Sequence, residues 1–190
     1  MNKWLFALIQ FFPLSLFATY GLWHGIPTDD RWVEAFQIGA IAAALQLAIV
    51  LPQSRPTNRL ILAANLYLLA GGGAVLAHQW WLLHAYAVLQ ESGIFVAVLA
   101  VGVATTFASS SGFVAVSGAP PALVRRASLW LLAAVVMALG ASILFQGDRT
   151  WAAVVPIICL AVLHRVLVYR IRQAENGDMH NYALERPDEK

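Results

Sequence analysis

Charged residues and cysteine are scarce in this sequence. Only 12% of its 190 residues are Asp, Glu, Lys or Arg, and Cys159 is the single cysteine. Because a soluble domain of this length needs a charged surface, the scarcity of charge excludes an ordinary soluble globular protein. One cysteine permits neither an intrachain disulfide nor a Cys-x-x-Cys metal or redox site. The few basic residues form no stripe outside the membrane flanks, so a nucleic-acid partner is not expected.

Hydrophobic residues, by contrast, make up 60% of the chain, and its mean hydropathy is +0.69. They fall into six long runs, each of which can cross a hydrocarbon core of about 30 Å at a rise of about 1.5 Å per residue. The sequence therefore predicts an all-α, polytopic transmembrane bundle of six helices. The predicted spans are 4–24, 33–52, 60–78, 92–114, 127–146 and 151–169.

Lys and Arg are distributed unevenly between the two sides of these spans. With the N-terminus in the cytoplasm, only Arg31 and Arg149 of the 12 basic residues lie on the outer side. Cytoplasmic loops carry an excess of Lys and Arg, so this pattern predicts that both termini are cytoplasmic. The transmembrane domain is expected to cover residues 1–172. The polar residues 173–190 are expected to form a flexible cytoplasmic tail.

Residues 79–91 are too few to span a bilayer and too apolar for an ordinary loop. Trp80, Trp81, Leu83 and Ala87 can form one face of a short helix that lies in the outer membrane interface. The alternative is a re-entrant segment, whose backbone would need hydrogen-bond partners inside the protein.

Three amide side chains, those of Gln37, Gln46 and Asn65, fall within the second and third predicted spans. Polar side chains are costly in lipid, so they usually face another helix or a cavity. Gln37 and Gln46 are nine residues apart, about two and a half turns, and are expected to point to different sides of their helix. Hydrogen bonding between helices is one interpretation of these amides, and a polar pathway through the membrane is the other.

Small and hydroxyl residues interrupt the apolar spans at two places. Gly71, Gly72 and Gly73 in the third span each weaken a helix by about 1 kcal/mol relative to alanine, but they let another backbone come close. Close packing is one interpretation, and a hinge or an unwound substrate-binding turn is the other. Thr105 and Ser109, four residues apart in a hydroxyl-rich patch, share a stripe of the fourth span. They either bond back to helix carbonyls or line a polar vestibule on the cytoplasmic side.

His78, His84 and Glu91 lie close together in sequence at the predicted outer face. Metal or haem ligation needs at least two imidazoles that face one centre, and a separation of six residues places these two on different sides of a helix. Glu91 opens the fourth span, where the helix dipole favours an acidic side chain, but it could also enter a cavity. The sequence contains no nucleophile elbow and no phosphate-binding loop. No catalytic residue, metal or cofactor is therefore predicted.

Short motifs in the first three spans resemble those of the intracellular septation protein family, small bacterial inner-membrane proteins. The matching segments are Pro13-Leu14-Ser15-Leu16-Phe17 with Tyr20 and Gly25, Leu45-Gln46-Leu47-Ala48, and Gly72-Gly73 with Leu76 and His78. They extend over about residues 10–80. The family's Lys-x-Lys-Pro-Thr signature has no counterpart in residues 79–91. The resemblance implies a non-enzymatic role in envelope maintenance or cell division, through contacts with other membrane proteins.

Two main functions are therefore expected from the sequence. The first is a non-catalytic protein of the bacterial inner membrane that acts as a subunit of a membrane complex, or in envelope maintenance, through helix–helix contacts. The alternative is a small homo-oligomeric transporter or channel for a lipid or another amphiphile. The expected partners are membrane lipids and either other membrane proteins or further copies of this chain. A membrane enzyme or redox subunit is a third hypothesis, supported only by the outer-face histidines.

Overall fold

The computed structural model describes the backbone of residues 3–22, 29–52 and 57–185, and the side chains of residues 12–21, 30–52 and 57–175. These residues form helices and contain no β-strand. In chain order the helices are α1 (Lys3–Leu22), α2 (Asp29–Val50), α3 (Arg59–Leu76), α4 (Trp80–Leu89), α5 (Gly93–Ala108), α6 (Pro121–Leu144) and α7 (Val155–Glu185). A 3₁₀ turn, Gln90–Ser92, joins α4 to α5, and a π-helical turn, Thr150–Val154, leads into α7.

Five helical segments within the described residues are long and apolar enough to cross a membrane. They are Asp30–Val50, Arg59–Leu76, Trp80–Ala108, Pro121–Leu144 and Thr150–Glu175. The helix α1, of 20 residues, precedes them. The all-α class is therefore confirmed for the described part of the chain. The number of crossings and the orientation stay predictions.

The helix α5 ends several residues before the predicted end of the fourth span. The predicted fourth span ends at residue 114, whereas the helix ends at Ala108. Ser109 is extended, and Gly112 and Ala115 have φ angles of +59° and +56°. The reason is local, because serine hydroxyls compete for backbone hydrogen bonds and glycine readily adopts a left-handed conformation. The residues after Ala108 therefore leave the helix although they are apolar.

The helices α6 and α7 extend beyond the predicted spans. The helix α6 begins at Pro121 rather than at residue 127, since proline is well suited to the first turn of a helix. The helix α7 continues to Glu185, past the predicted end of the sixth span at residue 169. Part of the predicted tail is thus helical, and its flexibility stays a prediction. Residues 186–190 of that tail, like Gly25 in the first of the septation-like motifs, lie outside the described residues.

The segment 109–116 is irregular, and its residues 112–116 are buried beside α6 and α7. Phe113 and Val114 have exposed fractions of 0% and 1%. The backbone N–H of Phe113 donates to Ser128 Oγ at 2.9 Å, and a ring nitrogen of His164 lies 3.2 Å from the Val114 carbonyl oxygen. Non-helical backbone at membrane depth needs such partners within the protein. The segment is therefore an integral part of the bundle rather than a loop on its surface.

Aromatic rings join the first four helices at one end of the bundle. Phe17 on α1 and Phe36 on α2 have ring centroids 4.8 Å apart, and Phe36 lies 5.0 Å from Tyr86 on α4. Tyr86 packs edge-on against Tyr67 at 4.8 Å, and its hydroxyl donates to the Tyr67 carbonyl oxygen at 3.1 Å. Together with Trp32, these rings fix α4 against α2 and α3. The predicted short helix over residues 79–91 is present, and whether it lies in the interface or re-enters the membrane stays open.

The outside of the bundle is apolar along most of its length. Ile41 and Leu45 on α2 are 63% and 62% exposed, and Met137 and Leu144 on α6 are 76% and 82% exposed. Contact of such a surface with water is strongly unfavourable, whereas contact with lipid chains is favourable. The described helices therefore suit a multi-pass membrane protein.

The glycines of α3 fall into two classes. A Cβ atom built on Gly71 would collide with the ring of Phe36, and one on Gly72 would collide with Cβ of Ala40. At Gly73 a Cβ would meet no heavy atom within 4 Å outside its own helix. Gly71 and Gly72 thus provide the close approach of α2 to α3, whereas Gly73 has no such role within the monomer.

This difference gives a matched pair of substitutions. We expect Gly72→Ala to lower the free energy of unfolding by about 1–3 kcal/mol, because the added methyl group forces two packed backbones apart. Gly73→Ala should raise it by up to about 1 kcal/mol, because alanine favours the helix and has room. Reversible unfolding of both variants in mixed micelles, followed by circular dichroism, measures the difference. Equal effects at the two positions would contradict close packing as the role of Gly72.

Candidate functional site

Two of the predicted amides meet in the interior between α2 and α3. Gln46 and Asn65 are 5% and 3% exposed, and Asn65 Nδ2 donates to Gln46 Oε1 at 2.7 Å. Both helices place these residues about one to two turns from the connection that joins them. An amide pair has no group that ionises at neutral pH, so it can orient and hydrogen-bond a ligand but cannot transfer protons.

The Gln46–Asn65 pair lies between two cavities. A groove of about 520 Å³ runs between α1 and α2 and is lined by Gln46 and apolar side chains, among them Phe12, Ile41 and Leu45. A smaller cavity of about 60 Å³ lies between α3, α5 and α7, and Asn65 and Asn58 are its polar lining. The pair is thus the polar partition between a lipid-facing groove and the centre of the bundle.

Gln37 does not join this pair. It is half-buried on α2, and the pair involves Gln46 and Asn65 only. The structure therefore separates the three predicted amides into one interhelical bond and one residue apart from it. A continuous polar pathway through all three does not follow from these positions.

The hydroxyl residues near the end of α5 also fall into two groups, the threonines within the helix and the serines beyond it. Thr105 Oγ1 donates to the Val101 carbonyl oxygen at 2.7 Å, and Thr106 Oγ1 donates to the Gly102 carbonyl oxygen at 2.7 Å. Ser109 lies beyond the helix, and its hydroxyl is 2.9 Å from that of Ser111. The hydroxyls of both threonines thus bond to carbonyl groups of their own helix, which is the first of the two interpretations given above for Thr105.

The three predicted outer-face residues lie at different places around α4. His78 is exposed with a φ of +52°, and its ring centroid lies 5.9 Å from that of Trp80. His84 is exposed on α4, and Glu91 is half-buried in the turn after it. No group of three or more His, Cys, Asp or Glu side chains suited to a metal ion occurs among the described residues. The structure does not bring the two histidines and Glu91 together as one site.

Several functional groups in the interior were not singled out from the sequence. Ser128 accepts hydrogen bonds from the buried segment 109–116, and His164 contacts the same segment. Ser142 on α6 is completely buried, and its hydroxyl has no hydrogen-bond partner. A lone serine or histidine within an apolar run has no distinctive spacing. The hydrogen-bond partner of such a residue is therefore known only from the structure.

Comparison of the chain with protein-family models, with curated proteins and with solved structures gives no significant match. The resemblance to the septation protein family therefore stays a prediction.

The Gln46–Asn65 bond can be measured by a double-mutant cycle. Gln46→Met and Asn65→Leu each leave one buried amide without its partner, and we expect each to lower the free energy of unfolding by about 1–3 kcal/mol. Together they should cost less than the sum, with a coupling of about 0.6–1.7 kcal/mol, as found between membrane helices. Gln37→Met is the matched control and should not couple to Asn65→Leu. Additive effects of Gln46→Met and Asn65→Leu would show that the bond contributes nothing to stability.

Proposed function

We propose that the chain is a multi-pass protein of the bacterial inner membrane that acts without catalysis, as a subunit of a membrane complex that maintains the cell envelope. The observation that carries the proposal is the open glycine of α3. Ala70, Gly73 and Ala77 form an exposed line of small residues, and no described residue outside α3 lies within 4 Å of a Cβ atom built on Gly73. In membranes such small residues let a second helix approach closely.

The structure of α3 sharpens this argument. The contact with α2 explains the buried glycines Gly71 and Gly72. A third glycine, at position 73, also weakens the helix, but no such contact among the described residues accounts for it. A partner helix that packs over Ala70, Gly73 and Ala77 would offset this loss of helix stability through van der Waals contact. The partner in this proposal is a helix of another membrane protein or of a second copy.

The proposed topology has six spans with both termini in the cytoplasm. Arg125 and Arg126 are exposed near the start of α6, and Arg170 and Arg172 are exposed in the middle of α7. Ser128 on α6 and His164 on α7 contact the same segment, 109–116, so the start of α6 and the middle of α7 lie on the same side of the bundle. Four arginines on one side support a cytoplasmic assignment for it.

Fusion reporters test this topology. Alkaline phosphatase should be active when it is fused after Gln79 or Gln146, and green fluorescent protein should be fluorescent after Gly118 or Lys190. Each junction is tested with both reporters, so that every site has its own control. Active phosphatase at Lys190 would contradict the six-span topology, because it would place the C-terminus outside.

The partner contact is tested on the full chain in a mild detergent. Native mass spectrometry should show a stoichiometric second membrane protein or a second copy bound to the wild type. Gly73→Leu should release it, because a large side chain blocks the close approach. Gly140→Leu is the matched control, since Gly140 on α6 also has open space around it and lies outside the proposed contact. A wild-type chain that elutes as a monomer without any protein partner would overturn the proposal.

A second function is favoured by one specific observation, the groove between α1 and α2. Its volume of about 520 Å³ and its apolar wall suit an acyl chain, and Gln46 supplies one amide at that wall. The lining residues of α2 extend from Ile38 to Ile49, which is about 16 Å at 1.5 Å per residue and about half of a bilayer core. In the same mass spectra, a monomer that retains lipid and has no protein partner would support transport of a lipid or amphiphile instead.

A further inference from the structure

Two irregular turns from different parts of the chain meet at one end of the bundle. The turn Gln90–Ser92 interrupts the helical segment Trp80–Ala108, and Gln90 has a φ of +46°, which is unfavourable for a residue with a side chain. This turn contacts both α6 and the π-helical turn Thr150–Val154. Interrupted helices and π-turns within membranes recur where ions and substrates bind.

Unpartnered polar atoms occur on both sides of this junction. Among the described residues, Glu91 Oε2 is buried without a hydrogen-bond partner, and the same is true of Ser142 Oγ. The whole Ser142 residue has an exposed fraction of 0%. A buried polar atom without a partner destabilises a fold, and a carboxylate oxygen does so most. These two atoms therefore need an explanation beyond packing.

Contacts between the elements bring α6 to this turn. Ser142 continues the buried stripe of α6 that includes Val135 and Ala138, and α6 contacts the turn Gln90–Ser92. One turn beyond Ser142, Gln146 Nε2 donates to the Val88 carbonyl oxygen at 3.1 Å. This bond fixes the end of α6 at the level of the turn that carries Glu91.

A third oxygen lies close to the same turn. A Cβ atom built on Gly93, two residues after Glu91, would lie 3.3 Å from the Tyr67 hydroxyl. The junction thus combines one carboxylate with neutral hydroxyl oxygens, and oxygen is the ligand that hard cations prefer.

We propose that Glu91 and Ser142 are oxygen ligands of a site for one monovalent alkali cation at the junction of the turn Gln90–Ser92 with α6. The charge selects the ligand. A monovalent cation neutralises the carboxylate of Glu91, whereas a divalent ion would leave a net positive charge at the site. Bound cation would also give both unpartnered oxygens an interaction. The site is independent of the proposed partner contact on α3.

The test uses the full-length protein in detergent. Thermal unfolding is followed by tryptophan fluorescence while NaCl replaces choline chloride at constant ionic strength. Because a ligand that binds only the folded state raises Tm, we expect a saturable increase in Tm with NaCl. Glu91→Gln, which keeps the size of the side chain but removes its charge, should abolish the increase. Asp30→Asn, at an exposed position on α2, should retain it.

Ser142→Ala provides a second test if Glu91→Gln does not fold. It removes one ligand while keeping the charge, so the NaCl concentration at half-saturation should rise at least tenfold. Direct binding of radioactive sodium by the purified wild type should saturate at one ion per chain. A Tm that is the same in NaCl and in choline chloride, or a response to NaCl that Glu91→Gln and Ser142→Ala both retain, would overturn the proposal.

Discussion

The bilayer offers no water to a buried N–H or C=O group, and most features of this structure follow from that constraint. Helices satisfy it over most of the described residues. Where the chain leaves the helix after Ala108, Ser128 and His164 bind the backbone of the irregular segment 109–116. Thr105 and Thr106 satisfy their own hydroxyls on α5. The polar residues of the interior therefore act mainly as partners for groups that lipid cannot solvate.

The close contact between α2 and α3 depends on the same constraint and on side-chain size. Gly71 and Gly72 leave room for Phe36 and Ala40, so the two helices approach closely. Such an approach allows the short amides of Gln46 and Asn65 to meet at 2.7 Å. Because lipid is as apolar as the helix surface, the hydrophobic effect does not hold such helices together, and packing and hydrogen bonds must do so. The glycines and the amide pair thus serve one interface.

The hydrophobic runs predict the helices well, because a bilayer span requires a long apolar segment whatever its neighbours are. The C-terminal end of α5 was predicted too far along the chain, because Phe113 and Val114 are as apolar as a span, and their burial beside α6 is a tertiary feature. Gln46 and Asn65 could be recognised as costly polar residues. Their pairing could not, because it depends on the distance between two helices. Ser128 and His164 were not singled out for the same reason.

The two polar clusters of the interior differ in how far the chain satisfies them. The Gln46–Asn65 bond closes within the protein, so its free energy contributes to holding α2 against α3. Glu91 and Ser142 each have a buried oxygen without a partner among the described residues. Burial of these oxygens destabilises the fold, and other contacts must offset this effect. Polar groups that a fold leaves unsatisfied are more often part of a function than of a scaffold, since a scaffold gains stability by losing them. The junction at the turn Gln90–Ser92 therefore has a stronger claim to a ligand than the Gln46–Asn65 pair.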